Sequence, residues 1–290
     1  MKIDYIHFIK ERISHRSYVN APLSKEHRKT LELFINKQTE NPYDIPIRFN
    51  LINIKENQPV KLGTYGVIKG AQTFLAGSVI SDGDDEALIA YGYSFEKIVI
   101  FAQSLGLGTC WLGGTFSRGS FAKAIHLKEH EIIPCISPIG ISLKRQTLLE
   151  KAMRTAARSA KRKPWNKIFY LNNFDTPLRK EQAGDFAEVL DMVQIAPSAS
   201  NKQPWRIIYD ADHTCFHFYL HTLNGYVGNK LGFRIQKIDI GIALYHFEAA
   251  AAQLGFQGKW DVKDPDIFIP HDPSGVKSYM ITWTMIESET

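Results

Sequence analysis

A short polar loop in the second half of the chain has the residue types of a ligand-binding segment. Residues 196–205 read APSASNKQPW, with two prolines around small polar side chains. Proline fixes its own φ and biases the preceding residue towards extended backbone, so the sequence predicts a stiff loop with Ala196 and Gln203 extended. Such a loop suits a small, planar, polar ligand. The alternative is an ordinary connecting loop between a helix and a strand.

Two segments of the first half could bind a planar cofactor that carries a phosphate. Residues 12–17, RISHRS, combine two arginines with two serines, and arginine makes bidentate hydrogen bonds to phosphate. Residues 105–114, LGLGTCWLGG, end in paired glycines, which let main chain approach a ring closely. A basic helix end and a plain glycine turn are the alternative interpretations of these two segments.

Length and composition indicate a globular protein with an ample core. The 290 residues, 44% hydrophobic and 22% charged, fit one large α/β domain or two domains of about 145 residues. Three widely spaced cysteines without a CxxC pair indicate neither a disulfide framework nor a zinc site, and they favour a reducing compartment. Because no apolar signal core or membrane-length apolar stretch is found, we expect a cytoplasmic protein with no membrane partner.

The net charge of +5 arises largely from a basic run between Lys144 and Lys167. Such a run could hold nucleic acid, a membrane surface or a phosphate-bearing cofactor, or it could be a solvated helix face. Interleaved stacking aromatics are absent from residues 144–163, so we expect no nucleic-acid partner.

Two other cofactor types are not favoured. His213, His217 and His221 recur every fourth residue, but their neighbours predict a strand, on which they would be too far apart for one metal. Leu-Gly-Leu-Gly follows a helix and lacks the third glycine of a dinucleotide-binding loop. We therefore expect no metal site and no Rossmann loop.

The two halves of the chain repeat one pattern. Residues 89–111 and 238–260 align without a gap, and both contain a long apolar helix that stops at Leu-Gly. Strands are predicted at 47–54, 73–80, 134–141, 206–210, 215–220 and 278–283, and further helices at 3–11, 25–36, 120–125 and 183–194. These elements predict an α+β fold with an internal duplication.

Three segments together resemble the nitroreductase superfamily of FMN-dependent enzymes. They are RISHRS at 12–17, LGLGTCWLGG at 105–114 and PSASNKQPW at 197–205. The chain is similar to the single-chain branch of that family, to which the segment YGVIKGA also corresponds. The resemblance implies two similar lobes, each with a mainly antiparallel sheet and a long central helix, at residues 1–164 and 165–290.

The motifs are divided unequally between the two halves. The first half reads NPYDIP at 41–46 where the polar loop belongs, and the second half lacks the basic opening. In the family's dimer, the opening motif and glycine segment of one subunit face the polar loop of the other across one flavin. The resemblance therefore implies a fused pseudo-dimer that binds one FMN and is a monomer.

The resemblance also assigns roles to individual residues. Arg12 and Ser14 would bind the FMN phosphate. Arg16 would lie near flavin N1 and O2, and the Gly114 backbone would lie near N5. The full set of implied cofactor-binding residues is Arg12, Ser14, Arg16, Gly113, Gly114, Lys161, Arg162, Pro197, Ser198, Ala199 and Asn201. Lys161 and Arg162 would form a second phosphate clamp, whose alignment could slip by one residue.

The activity implied is an FMN-dependent oxidoreductase that works by alternating hydride transfer. NADH or NADPH would reduce the flavin, and a nitroaromatic, quinone or enone-like small molecule would then accept the electrons. No side chain is assigned as an obligatory acid or base, and Trp205 is expected in the core. An FMN-binding module with a sensory, storage or vestigial role and no turnover is the alternative, and a basic-surface nucleic-acid binder is the third hypothesis.

Overall fold

The structure, a computed structural model, describes residues 3–37, 40–54, 62–80, 85–143, 161–224 and 232–286. These residues form two compact units. The first unit contains residue 3 and the described residues from 11 to 143; the second contains residues 4–10 and the described residues from 161 onwards. Helix α1 (Tyr5–Glu11) thus belongs, up to Lys10, to the second unit. Most of the predicted basic run, at 144–160, lies outside the described residues.

The described part of the first unit contains a five-stranded sheet and three helices. Its strands are β1 (Arg48–Asn53), β2 (Thr73–Ile80), β3 (Gly108–Thr109), β4 (Glu131–Ile132) and β5 (Ile136–Gly140). Its helices are α2 (Lys25–Lys37), α3 (Asp85–Ser104) and α4 (Arg118–Ala124). The strand order is β1-β2-β5-β3, β4 also pairs with β2, and each of these pairings is antiparallel.

Helix α3 and strand β2 form the centre of the first unit. Strand β2 is buried from Thr73 to Val79, and most of α3 from Ala87 onwards is buried as well. A helix that is apolar on all sides is stable only inside a core, which explains the position of α3. The helix ends at Ser104, and Gly106 follows with a left-handed φ of 73°, a common helix termination.

The second unit repeats this arrangement with its own sheet. Its strands are β6 (Phe169–Leu171), β7 (Trp205–Asp210), β8 (Cys215–Leu223), β9 (Gly258–Asp261) and β10 (Gly275–Met285). Its further helices are α5 (Lys180–Ala183), α6 (Ala187–Gln194) and α7 (Ile235–Gln253). The strand order is β6-β7-β8-β10-β9, in which β6 and β7 are parallel and the other neighbours are antiparallel.

Helix α7 is the buried central helix of the second unit. Trp205 and Trp283 lie at 0% and 1% exposure in the same unit, so Trp205 is a core residue as predicted.

Helix α1 is joined to the end of α7 by two hydrogen bonds. The Ile6 N–H donates to Gln253 Oε1 at 3.0 Å, and Gln253 Nε2 donates to Asp4 Oδ1 at 2.7 Å.

The predicted α+β fold with an internal duplication is confirmed. Each unit has a long buried helix and a mainly antiparallel five-stranded sheet. All six predicted strands coincide with observed strands, and the helix predicted at 183–194 is interrupted by a 3-10 turn at Gly184–Phe186. The three cysteines are buried and form no disulfide bond. Among the described residues, no helix is both long and apolar enough to cross a membrane.

Candidate functional site

The opening segment at residues 12–17 is held in place by main-chain hydrogen bonds within the first unit. The His15 N–H donates to the Thr109 carbonyl at 2.8 Å, next to the glycine segment. On the other side, the Lys69 N–H donates to the Arg16 carbonyl at 2.8 Å. Because the backbone is fixed at both points, the two arginine side chains start from defined positions.

Both arginines of this segment retain unused hydrogen-bonding capacity. Arg12 is only 8% exposed, and its Nε lies 3.8 Å from Glu96 Oε1, too far for a hydrogen bond. Glu96 is fully buried in α3 and accepts a hydrogen bond from Trp111 Nε1 at 2.6 Å. The Nε atoms of Arg12 and Arg16 are buried and have no hydrogen-bond partner among the described residues. Since buried donors are normally satisfied, these two groups are suited to an anionic ligand.

Arg118, which the sequence did not single out, fixes the glycine segment. Its Nη2 donates to the Gly113 carbonyl at 2.5 Å and to the Pro134 carbonyl at 3.0 Å, and its Nε donates to the Ile133 carbonyl at 3.3 Å. An arginine at the first position of α4, four residues after the paired glycines, is the signal that could have identified it. Its role is to position the main chain of the segment.

The main chain of Gly114 borders open space. Gly113 and Gly114 are not among the residues with a left-handed φ. A Cβ added to Gly114 would meet no atom of the described residues within 4 Å. The main chain at Gly114 therefore leaves room for a flat group beside it.

The polar loop of the second unit contains strained backbone. Ser200, Asn201 and Gln203 have φ values of 50°, 55° and 47°, a region that non-glycine residues rarely occupy. The prediction that Gln203 is extended is therefore wrong. Its hydrogen bonds explain the difference: its N–H donates to Ser198 Oγ at 2.9 Å, and its Oε1 accepts from the Lys163 N–H at 2.7 Å. These contacts outweigh the bias that the following proline imposes.

Lys161 and Arg162, the residues of the predicted second phosphate clamp, lie beside this loop, where Arg162 has a structural role. Arg162 Nη1 donates to Asn201 Oδ1 at 3.2 Å, and its Nη2 donates to the Ile195 carbonyl at 2.9 Å. The Asn201 side chain in turn donates to the Lys161 carbonyl at 2.8 Å. The Asn201 amide thus positions the basic residues, while the Lys161 side chain is exposed.

Asp239, in the buried helix α7, was not predicted as part of the site. It is 2% exposed, and its Oδ1 accepts a hydrogen bond from the Ala199 N–H at 2.9 Å. Its Oδ2 is buried without a hydrogen-bond partner among the described residues. Burial raises the pKa of Asp239 to about 8, against the smaller opposing effect of the Ala199 hydrogen bond. An aspartate inside an otherwise apolar helix was the available sequence signal.

The histidines of β8 bond to neighbouring strands. His217 Nδ1 lies 2.7 Å from Thr282 Oγ1, and His221 Nδ1 lies 2.9 Å from Arg206 Nη2. Burial, followed by the charge of Arg206, lowers the pKa of His221 to about 4, so its neutral ring accepts the arginine hydrogen bond. The described residues contain no group of three or more histidine, cysteine, aspartate or glutamate side chains that could hold a metal ion.

The first unit fits the two chemical ends of FMN that the resemblance assigned to it. The phosphate and the N1/O2 side of a reduced flavin both favour cationic donors, and the buried Nε atoms of Arg12 and Arg16 have no acceptor among the described residues. A flavin ring requires backbone without a side chain, and Gly114 borders open space. In the second unit, Lys161 and Arg162 lie beside Asn201 of the polar loop.

Comparison with known proteins identifies the class. A family model described as "Putative TM nitroreductase" matches residues 4–251. The chain therefore belongs to this nitroreductase family, an oxidoreductase family, which confirms the resemblance drawn from the three motifs.

One of the similar solved structures shows the same fold over nearly the whole chain. A "putative nitroreductase" from Thermotoga maritima is 19% identical with a TM-score of 0.59, and the alignment covers 99% of this chain and 94% of that chain. An "FMN-dependent Nitroreductase" from Clostridium difficile is 20% identical with a TM-score of 0.41, covering 49% of this chain and 90% of that chain. No curated protein matches the sequence.

Proposed function

We propose that the chain is an FMN-dependent oxidoreductase of nitroreductase type. The observation that carries the proposal is that the buried Nε atoms of Arg12 and Arg16 have no acceptor in the part of the chain that the structure describes. They lie in the same unit as the open main chain of Gly114. Membership of the nitroreductase family supports the assignment of FMN as the group that these residues bind.

The family resemblance assigns a role to each residue, and the chemistry of the residue suits that role. Arg12 and Ser14 would hold the phosphate through charge-assisted and hydroxyl hydrogen bonds. Arg16 would stabilise negative charge on the flavin ring, and the Gly114 main chain would lie against that ring. When bound, FMN supplies the hydride chemistry between a pyridine nucleotide and a small acceptor. The resemblance adds Gly113, Lys161, Arg162 and the loop residues Pro197, Ser198, Ala199 and Asn201 as further binding residues.

NADH or NADPH is the proposed donor, and nitroaromatics, quinones or activated enones are the proposed acceptors. Electron-poor acceptors of this kind receive hydride at a ring or conjugated system and need no side-chain acid, because water can supply the proton. The described site agrees with that requirement, since its arginines and glycines serve to bind and orient.

Cofactor titration tests the binding part of this proposal. We expect FMN to bind with loss of its fluorescence, and Arg12→Gln to weaken FMN binding by about 10-fold or more, the value of a charge-assisted hydrogen bond. Binding of riboflavin, which lacks the phosphate, should be unaffected by the same change. Arg28→Gln is the matched control, because Arg28 pairs with Glu32 on the surface of α2. A wild-type protein that does not bind FMN refutes the proposal.

Anaerobic rapid mixing separates an enzyme from a binding module without turnover. Protein loaded with FMN is mixed with NADH or NADPH, and the flavin absorbance is followed. We expect bleaching by at least one donor and recovery of the absorbance on addition of a nitroaromatic or quinone. Binding of FMN without bleaching by either donor would instead support the module.

A further inference from the structure

The tight turn at residues 64–67 places an aromatic side chain where the backbone disfavours one. The Val67 N–H donates to the Thr64 carbonyl at 2.9 Å, and the central residues Tyr65 and Gly66 have left-handed φ values of 48° and 76°. Turns of this geometry favour asparagine, aspartate or glycine, because a bulky side chain is strained there. Tyrosine at position 65 therefore gives the turn no conformational advantage.

Packing does not explain Tyr65 either. Its side chain is 70% exposed. Within the described part of the chain, no ring contact and no hydrogen bond of Tyr65 is found. A single exposed ring is ordinary on a protein surface, so the unusual feature of Tyr65 is its combination with a left-handed backbone. Local strain that the fold does not need commonly marks a binding position.

The turn lies beside the glycine segment in the first unit. The Ser117 N–H donates to the Gly63 carbonyl at 2.9 Å, which joins the start of the turn to the residue preceding Arg118. Arg118 is the residue that fixes the Gly113 carbonyl. Burial lowers the pKa of Arg118, and Tyr65 is among the neighbouring groups that oppose this shift. The phenol therefore lies in the electrostatic surroundings of the same guanidinium.

We propose that Tyr65 determines acceptor specificity by stacking on planar, electron-poor aromatic substrates beside Gly114. The proposal rests on the proposed function, because the acceptor must lie against the redox group. An exposed, electron-rich ring stacks on an electron-poor ring in an offset arrangement, and such a contact changes binding by about 3- to 10-fold. The hydroxyl is not required for the contact.

Two substitutions at this position distinguish the effect of the aromatic ring from the effect of the turn conformation. Tyr65→Phe keeps the ring, and Tyr65→Asn removes the ring while it suits the left-handed backbone. Phe268→Asn is the matched control, because Phe268 is an aromatic residue with 78% exposure in the second unit. Calorimetry measures binding of 4-nitrobenzamide to the FMN-loaded protein, and steady-state assays compare 4-nitrobenzamide with ferricyanide.

We expect Tyr65→Asn to bind 4-nitrobenzamide about 3- to 10-fold more weakly, with KM raised by the same factor and kcat little changed. Its FMN content, its rate with ferricyanide and its Tm should not fall. Tyr65→Phe and Phe268→Asn should behave as wild type.

Equal binding of 4-nitrobenzamide by wild type and Tyr65→Asn would overturn the proposal, as would an equal loss in Tyr65→Phe. Failure of the proposed function can be distinguished from failure of the Tyr65 proposal, because only the former shows as an absence of FMN binding. In that case the same calorimetry is done on the cofactor-free chain, where binding that is undetectable or insensitive to Tyr65→Asn overturns the inference.

Discussion

The carboxyl group of Asp239 accepts a hydrogen bond from the Ala199 N–H at 2.9 Å, which joins the buried helix α7 to the polar loop. The second carboxyl oxygen is buried and has no partner among the described residues. A buried carboxyl without a cation is more stable in its neutral form. The loop is thus supported by a group whose protonation state can change near neutral pH.

Asp239 should make the stability of the protein depend on pH. Its pKa is about 8 when folded and near its ordinary value of 3.8 when unfolded. Between pH 4 and pH 8 the folded chain holds a proton on this group that the unfolded chain has released. The contribution of Asp239 to stability is therefore greatest below pH 4 and is lost as the pH rises to about 8. The free energy of unfolding should decrease by up to about 1.4 kcal/mol per pH unit in this range.

Asp239→Asn tests this dependence, because asparagine stays neutral and keeps an oxygen that can accept from Ala199. Denaturant unfolding of both proteins from pH 4 to pH 9 is the measurement. The difference in unfolding free energy should grow with pH in favour of Asp239→Asn. Two parallel curves would contradict the assignment.

Gly77→Ala should destabilise the fold, whereas Gly114→Ala should leave the fold stable and weaken FMN binding. A Cβ at Gly77 would lie 2.6 Å from the Phe49 ring and 2.8 Å from the Tyr91 ring, so this change should destabilise by about 1–3 kcal/mol. A Cβ at Gly114 meets no atom of the described residues within 4 Å. The unfolding free energy of Gly114→Ala should therefore differ from that of wild type by no more than about 0.5 kcal/mol.

The two glycine variants are compared by urea unfolding and by FMN titration. Gly114→Ala should weaken FMN binding although it folds normally. If it binds FMN as tightly as wild type does, the proposed position of the ring beside Gly114 is wrong.

Arg118 should be essential for the position of the glycine segment. Arg118→Gln loses hydrogen bonds to the carbonyls of Gly113, Ile133 and Pro134, and we expect a loss of about 1.5–3 kcal/mol in unfolding free energy. Arg28→Gln removes only a surface pair with Glu32 and should cost less than about 0.5 kcal/mol. Equal unfolding free energies for the two variants would contradict the structural role of Arg118.

The fold was largely predictable because its core strands carry strong local signals. Strand β2 was predicted at its observed bounds, Thr73–Ile80, from its run of apolar and β-branched residues. Strands β3 and β4 have two residues each, too few for any periodic pattern. They exist because neighbouring strands offer hydrogen-bonding partners, which is a property of the tertiary structure.

The candidate site was predictable only in part. Motif residues such as Arg12 and Gly114 could be chosen by type and spacing. Asp239 and Arg118 stand out in the sequence only as an aspartate in an apolar helix and an arginine at a helix start. Their roles depend on contacts with the main chain of other segments, which sequence spacing does not show. The left-handed Gln203 was missed for the same reason, since its side chain bonds to the distant Lys163 N–H.

Asn201 should be replaceable by glycine at a lower cost than by alanine. Its φ of 55° is strained for alanine but not for glycine, and both changes remove the hydrogen bonds to Arg162 and Lys161. We expect Asn201→Ala to be less stable than Asn201→Gly by about 1 kcal/mol, as measured by thermal and urea unfolding. FMN affinity should fall in both variants if the amide positions the basic residues. The reverse order of stability would contradict the strained conformation.

The number of FMN molecules bound per chain tests the central claim most directly. The chain is saturated with FMN, freed of excess cofactor, and denatured to release it, and the flavin absorbance is compared with the protein concentration. Because the basic opening and the polar loop each occur once in the sequence, we predict one FMN per chain. A ratio of two would contradict the single site, and a ratio of zero would contradict the proposed flavin function.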